Sequence, residues 1–557
     1  MTALVTALCL VVYFLGYRFY AGWLSRRVFS LDPARPTPAH TLRDDVDYVP
    51  THRWVLFGHH YASITGLSPM LGPAVAVIWG WVPALAWVVL GGLLIGCVHD
   101  FGALVVSMRA RGASIGKLTE GIVGRRAKTL FHLIIFFGIA LAMGVFVYVI
   151  AVMFAISPAW DPEQPHADPS SFPTAVLPSV ALMLIAAAVG YLVYRRGFRM
   201  APLAAGGVAL ALVAVWGGIE LPLLGLARHQ WPGQPTWVLV LLGYSFLASV
   251  LPVWRLLQPR DFLNSLLLYL GLGLAYLGIF VGATPFAAPA IRFEPPGAPG
   301  FVPFVFIIIA CGAVSGFHSL VSSGTTAKQI ANEADARPIG YGGMIGESLL
   351  GLLAVVACTA VGVAGQPPDA ARAAWLHLYA DWGSLQGLGA QVGVFVTGAA
   401  HFIERLGFLD DRQATALVAV VVVSFALTTL DSATRLLRFN ISEIGETLGI
   451  RALGNRYVAS AAAVGVIALF AFYEIGGQPA GLALWRLFGT TNQLLAGLAL
   501  TTVTLYLVQR GRTPWPTGLP AVFMLASTLV AMLINLADFW QRRAEGTWVL
   551  FAVGLVL

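Results

Sequence analysis

The sequence predicts an all-α polytopic membrane protein of about 14–15 transmembrane helices. Three observations carry this expectation. Of 557 residues, 58% are hydrophobic and only 11% are charged, against roughly 25% charged in soluble domains. Mean hydropathy is +0.80. Apolar runs of about 20 residues, each long enough to cross ~30 Å of hydrocarbon, recur along the whole chain. The formal charge of +7 does not point to nucleic acid, because the arginines fall in short clusters between those runs, the pattern of cytoplasmic loops. The longest polar segments, 25–53 and 366–383, are too short for a soluble domain.

Residues 1–22 lack a basic start and a small-x-small cleavage site, and their apolar run is too long for a signal peptide. They read as a retained membrane helix. Crossings follow at about 54–79, 82–108, 130–156, 173–194, 201–226, 236–257 and 262–286. Later ones fall near 300–326, 339–364, 413–435, 456–475, 484–509 and 516–538, with an apolar tail from about 546. The basic loops "SRRVFSLDPARPTPAHTLRDD", "RARGASIGKLTEGIVGRRAK" and "YRRGFRM" alternate with basic-poor "DPEQPHADPSSFP", so the basic set is expected in the cytoplasm. The segment 387–408 tests that parity. As a crossing it would put the loop of Arg435, Arg438, Arg451 and Arg456 outside, so a helix lying on or re-entering the outer surface is expected. Cys9, Cys97, Cys311 and Cys358 lie in apolar segments without CxxC spacing, which argues against disulfides and metal sites.

The stretch "GHHYASITGLSPMLGPAVAV", residues 58–77, puts His59, His60, Gly66, Pro69, Gly72 and Pro73 into one membrane span. Proline removes a backbone donor and glycine weakens a helix. Broken backbone at membrane depth is tolerated only where protein or a water-filled cavity surrounds it. A second such span is "LLGYSFLASVLPVWRLLQPRDF", with Pro252 placed mid-span and Pro259 near its cytoplasmic end. Paired interruptions mark the midplane binding site of inverted-repeat transporters, whereas single prolines commonly just kink packed helices. Unwinding over Gly66–Pro73 would expose amide N–H groups at a half-helix N-terminus, where a carboxylate is a natural guest.

Six stretches resemble the carbon starvation protein A family of bacterial transporters: "DYVPTHRWVLFGHHYASITGLSPMLGP", "HDFGALVVSMRARGASIG", "LGYSFLASVLPVWRLLQPRDF", "SGFHSLVSSGTTAKQIANEADARPIGYGGM", "TTLDSATRLLRF" and "LWRLFGTTNQLLAGLAL". They cover nearly the whole chain in the family's order. The resemblance implies uptake of peptides or pyruvate under carbon starvation, across the bacterial inner membrane, by a carrier of the amino acid–polyamine–organocation type. It also implies inverted five-helix repeats (a LeuT-like core) with discontinuous helices, plus accessory helices. The chain then divides into an accessory helix and loop at 1–53, a ten-helix core at 54–455 and accessory helices at 456–557. Expected substrate-binding residues are His59, His60, Gly66, Ser68, Gly72, Ser249 and Trp254.

Ionisable groups inside a bilayer are costly and usually face a cavity. His59 and His60 point about 100° apart on a helix, so both cannot face it equally. Each suits a coupling proton or a carboxylate partner, or simply a bond to a neighbouring helix. Asp100 with Arg109, and Asp431 with Arg435 four residues on, read as gating or structural ion pairs. Glu347 stands between a proton relay and a helix-to-helix bond. Ser315, Ser319 and Ser322 follow i, i+4, i+7, with Ser323 and His318 beside them, and are the expected ion-coupling set. In transporters that this one resembles, sodium sits between such hydroxyls and carbonyls of the first broken helix, yet small residues also let membrane helices pack closely. A proton is favoured over Na+. Asn492 and Gln493 are expected to join accessory helices.

No GxxxxGK[ST] motif is present and the histidines form no HExxH cluster, which argues against an ATP-driven pump and a metalloenzyme. No cofactor is expected beyond a coupling ion, and the expected partners are a small-molecule substrate and the lipid bilayer. The alternative to a carrier is a nutrient-responsive channel or sensor. Pyruvate against peptide, the ion and the oligomeric state stay open at this level.

Overall fold

In hydrocarbon every backbone N–H and C=O must be satisfied within the protein, which leaves helices as the economical solution. The computed structural model describes residues 1–163, 170–282, 284–360, 368–383, 388–475, 478–543 and 547–556. These are helical almost throughout; a two-stranded hairpin, Glu474–Ile475 with Gln478–Pro479, is the one sheet among them. The loop 161–173 falls partly, at 164–169, outside the described residues.

The membrane body is built from α1 (Thr2–Val28), α2 (Arg53–Thr65), α3 (Ser68–Trp79), α4 (Trp81–Arg109), α5 (Arg125–Phe154), α6 (Pro173–Arg196) and α7 (Met200–Glu220). It continues with α8 (Gln234–Val250), α9 (Leu257–Val281), α10 (Phe301–Ile308) and α11 (Gly316–Val321). The last third holds α12 (Glu333–Ala360), α13 (Leu388–Glu404), α14 (Asp411–Leu448), α15 (Arg456–Phe472), α16 (Leu487–Gln509) and α17 (Trp515–Gln541). Among the described residues ten helices are long and apolar enough to cross alone, or eleven with α2–α3 taken as one bent span. By length and composition alone that is fewer than the expected 14–15. The shortfall is the 17-residue helices α8 and α15 and the segment 301–329, which is interrupted rather than a single rod.

α13 settles the parity question. Gly389, at its start, lies against Ser170 and Val152, beside the non-cytoplasmic end of α5. At its far end, Gly278 of α9 packs on the Phe402 carbonyl, and Arg405 Nη1 donates to Thr284 Oγ1 at 2.7 Å. Both ends therefore sit at the outer side. The helix does not cross, and the Arg435 and Arg438 turns of α14 stay on the cytoplasmic side, as expected.

The first interruption is shorter than expected. α2 ends at Thr65, α3 restarts at Ser68, and the two are bent by 44°. Only Gly66–Leu67 is unwound. Gly66 has φ +47°, a region glycine enters without a Cβ penalty. Pro69 falls in the first turn of α3, where its missing N–H costs nothing. Pro73 is accommodated inside α3.

The second interruption is not at Ser249–Trp254. α8 ends at Val250, and Val253 N bonds the carbonyl of Val46 in the cytoplasmic loop at 3.3 Å. Pro252 thus follows a helix end, where proline is common, in the turn between α8 and α9. The interruption that meets the first one is 309–315, between α10 and α11. Gly312 there has φ +90°, and a Cβ on it would lie 3.5 Å from Pro69 Cα.

Candidate functional site: two interrupted helices and their buried polar clusters

The two interruptions enclose a cavity of about 20 Å³, room for roughly one water. Gly66 lines it from the first with Ser68 at the start of α3, Cys311 from the second with Phe317 at the start of α11, and Thr429 and Asn492 from α14 and α16. Thr429 Oγ1 is buried without a hydrogen-bond partner and faces Gly66, whose Cβ would approach it to 2.7 Å. Gly66 and Ser68 are therefore at the site. Gly72 is on α3 against the Ile308 carbonyl, where a Cβ would come within 2.5 Å; its small size serves close packing. Ser249 and Trp254 lie elsewhere. Ser249 Oγ is 3.0 Å from Ser460 Oγ and its carbonyl accepts from Arg438 at 2.9 Å. Trp254 packs on Tyr194 and under Arg195.

α2 directs its two histidines to different clusters, as their angular spacing requires. His60 Nδ1 is 2.8 Å from Thr326 Oγ1. His59 Nδ1 is 2.6 Å from Asp261 Oδ2. Both rings are fully buried.

On the His60 side, three fully buried groups from three helices meet. His318 Nδ1 of α11 lies 2.9 Å from Asp100 Oδ2 of α4, and its Nε2 lies 3.0 Å from Glu347 Oε2 of α12. Asp100 Oδ1 also pairs with His99 Nδ1 at 2.8 Å. Glu347 Oε1 accepts the Gly312 N–H at 3.1 Å, while Ser348 Oγ donates to the Gly312 carbonyl at 2.9 Å. The interruption at 309–315 is thus held by two consecutive residues of α12.

On the His59 side, Asp261 Oδ1 accepts from Arg260 Nη2 at 3.0 Å. Arg260 also pairs with Asp431 and bonds Tyr244, whose hydroxyl donates to Asp431 Oδ2 at 2.6 Å. One buried guanidinium therefore bridges two carboxylates, with Tyr244 closing the group. A planar fork of donors suits that geometry better than an ammonium.

Both expected ion pairs exchange partners. Asp100 is held by histidines, while Arg109 pairs with Glu333 and with the Phe29 and Ser30 carbonyls. Asp431 is held by Arg260, while Arg435 reaches Asp47 Oδ1 at 3.0 Å and the Ala248 and Leu251 carbonyls at the end of α8. The i, i+4 pair within α14 loses because Arg435 is fully buried and finds a carboxylate and a negative helix end on its other side. Burial pushes the Asp47 carboxyl up, but Arg435, Lys328 and Arg438 outweigh it and hold it below its ordinary 3.8.

The serine stripe does not form one face. Ser315 has extended backbone and precedes α11; its hydroxyl meets the Asn492 amide at 3.1 Å. Ser319 Oγ donates to the Gly316 carbonyl and Ser323 Oγ to the Ser319 carbonyl, each at 2.7 Å. A π-helical turn at Ser322–Thr326 then shifts the register. Only Ser322 keeps a buried hydroxyl without a hydrogen-bond partner, among these described residues. Asn492 was expected as helix glue and turns out to line the cavity together with Thr429. Cys311, His318 and Glu347 offer donor atoms within 4.8 Å of one another. His318 is bound to Asp100, Glu347 to Gly312 and Cys311 Sγ to Ser315 at 3.2 Å, so the set reads as a hydrogen-bonded cluster.

A second cavity, of about 220 Å³, lies toward the cytoplasm and is lined by Lys117, Lys328, Glu443 and Glu446. Ile139 and Leu320 line both cavities and stand between them.

Comparison with known proteins follows the same direction. The family described as "Carbon starvation protein CstA" matches residues 1–367 and 376–531. The chain is 34% identical to the peptide transporter CstA of Escherichia coli K12, over 93% of this chain and 79% of that one. It is 32% identical to the peptide transporter CstA of Campylobacter jejuni, over 94% and 78%. To the pyruvate/proton symporter BtsT of Escherichia coli K12 it is 31% identical, over 94% and 80%.

Proposed function

The chain belongs to the carbon starvation protein CstA family, and from that premise we propose that it is a secondary active transporter importing a small carboxylate nutrient, pyruvate or a short peptide, together with a proton. It is a multi-pass protein of the bacterial inner membrane. The relatives are named for peptides and for pyruvate with protons, and both substrate classes carry a carboxylate.

The observation that supports this reading is the meeting of two interrupted helices around one buried cavity. α3 begins at Ser68, on the cavity wall, so the positive end of its peptide dipoles faces the space where a carboxylate would rest. The cavity holds about one water, so admitting a substrate requires the half-helices to separate. On the cytoplasmic side Ile139 and Leu320 are the narrow point through which the substrate leaves. A proton is favoured over Na+ because buried titratable groups, Asp100, His318 and Glu347, meet beside the cavity. The LeuT-like inverted repeats belong to the same proposal. With the second interruption at 309–315, the halves to be paired are not those implied by Pro252.

Uptake of radiolabelled pyruvate and of dialanine into proteoliposomes, under imposed pH or sodium gradients, tests the reading. Accumulation above the outside concentration, driven by an inward pH gradient, is expected for at least one of them. Equilibration without accumulation would indicate a channel and overturn the proposal.

A further inference from the structure

We propose that the coupling proton is carried by the Asp100–His318–Glu347 cluster, and that Glu347 transmits its charge state to the second interruption through Gly312. This rests on the proton-coupled reading above and adds where the proton sits and what it moves.

The first argument is charge. With His318 protonated between two carboxylates, the cluster carries one net negative charge at membrane depth. Among the described residues no arginine or lysine lies within ion-pairing distance of Asp100 or Glu347. The other titratable groups facing it are His60 and Tyr61 on α2, Cys97 and His99 on α4, and Cys311 at the interruption. None carries a permanent positive charge. Such an imbalance is costly in a bilayer, and one further proton removes it. Cys311 both lines the central cavity and lies within 4.8 Å of the His318 and Glu347 donor atoms. An anionic substrate therefore arrives next to this negative charge, and its binding favours protonation of the cluster. Anion and proton load together, and the proton taken from outside is released inside when the anion leaves.

The second argument is mechanical. His318 Nε2 and Glu347 Oε2 are 3.0 Å apart yet neither makes an aligned hydrogen bond, so this oxygen has room for a proton. The other oxygen of Glu347 holds the Gly312 N–H. A carboxylate accepts a hydrogen bond more strongly than a neutral acid, so protonation loosens Gly312. Gly312 in turn abuts Pro69 in the first turn of α3. The proton thus frees the segment that closes the cavity over the substrate.

The test uses the whole chain in proteoliposomes with radiolabelled pyruvate and dialanine. A pH difference of about one unit supports about tenfold accumulation per coupled proton. Glu347→Gln is expected to lose that factor, and its remaining downhill uptake should no longer vary between about pH 5 and 8. Glu347→Asp, which keeps an ionisable group, should remain pH-dependent with a displaced midpoint. If the wild type is driven by the pH gradient and Glu347→Gln is driven equally, the inference fails and the proton-coupled reading stands. If the wild type is not so driven, that reading fails first. Where Glu347→Gln neither folds nor transports, Glu347→Asp decides, and an unmoved midpoint overturns the inference.

Discussion

Asp47 lies 3.0 Å from the guanidinium of Arg435, across 388 positions of sequence. The pair ties the first cytoplasmic loop to the cytoplasmic half of α14. Removing the carboxylate by Asp47→Asn leaves a buried guanidinium with only the Ala248 and Leu251 carbonyls. The expected loss is about 1–3 kcal/mol, less than for a fully buried pair because Asp47 is partly exposed. Thermal unfolding in detergent measures it. Asp47 has its carboxyl lowered in the folded chain, so its stabilisation is present above the ordinary 3.8 and is lost as pH falls below that value. The gap between wild type and Asp47→Asn should therefore close on acidification through that window and stay constant above it.

Gly66→Ala carries two separable penalties. A backbone of φ +47° and ψ −156° costs roughly 1–3 kcal/mol for an L-residue, and the new Cβ would stand 2.7 Å from Thr429 Oγ1. Reduced uptake is expected. Adding Thr429→Ala should recover the steric part but not the backbone part, which a double-mutant cycle on uptake and melting temperature resolves. Full recovery by Thr429→Ala would mean the backbone at Gly66 is not strained.

Arg260 holds Asp261 and Asp431 together in the interior. Arg260→Leu removes the one cation the two carboxylates share, leaving Asp261 with His59 and Asp431 with the Tyr244 hydroxyl, a change on the order of 3–5 kcal/mol. Arg260→Lys should also be defective, because a single ammonium cannot serve Asp261, Asp431 and Tyr244 with the same planar geometry. Near-normal expression and melting of Arg260→Lys would contradict the bridging role.

Ile139 and Leu320 separate the central cavity from the cytoplasmic one. Their truncation to Ala is expected to widen that neck. Initial uptake should be little changed while the steady-state level falls, because loaded substrate escapes backward. An unchanged plateau in the double variant would show that the barrier lies elsewhere.

Much of the first interruption was legible from residues alone. Gly66, separated by one residue from Ser68-Pro69, writes a helix end and a helix start close together. The divergence of His59 and His60 followed from helical geometry. The second interruption was missed because "IACGAVSG" has no proline, so hydropathy runs through it unbroken; paired glycines around a β-branched residue were the available signal. Pro252 misled for the converse reason, since an apolar turn between two helices looks like mid-span. Partner identity at Asp100, Asp431 and Arg435 was out of reach. Local spacing offers a candidate, but a buried charge takes whichever counter-charge the tertiary packing places nearest, here on another helix. The serine register failed at a π-turn, which no spacing rule registers.

One helix that leaves and returns on the same face fixes the sidedness of everything after it. Had α13 traversed, α14 would run in the opposite sense, and Arg435 would emerge a full membrane thickness away from Asp47. The clasp between the first loop and the last third of the chain exists because one apolar segment declines to make the passage.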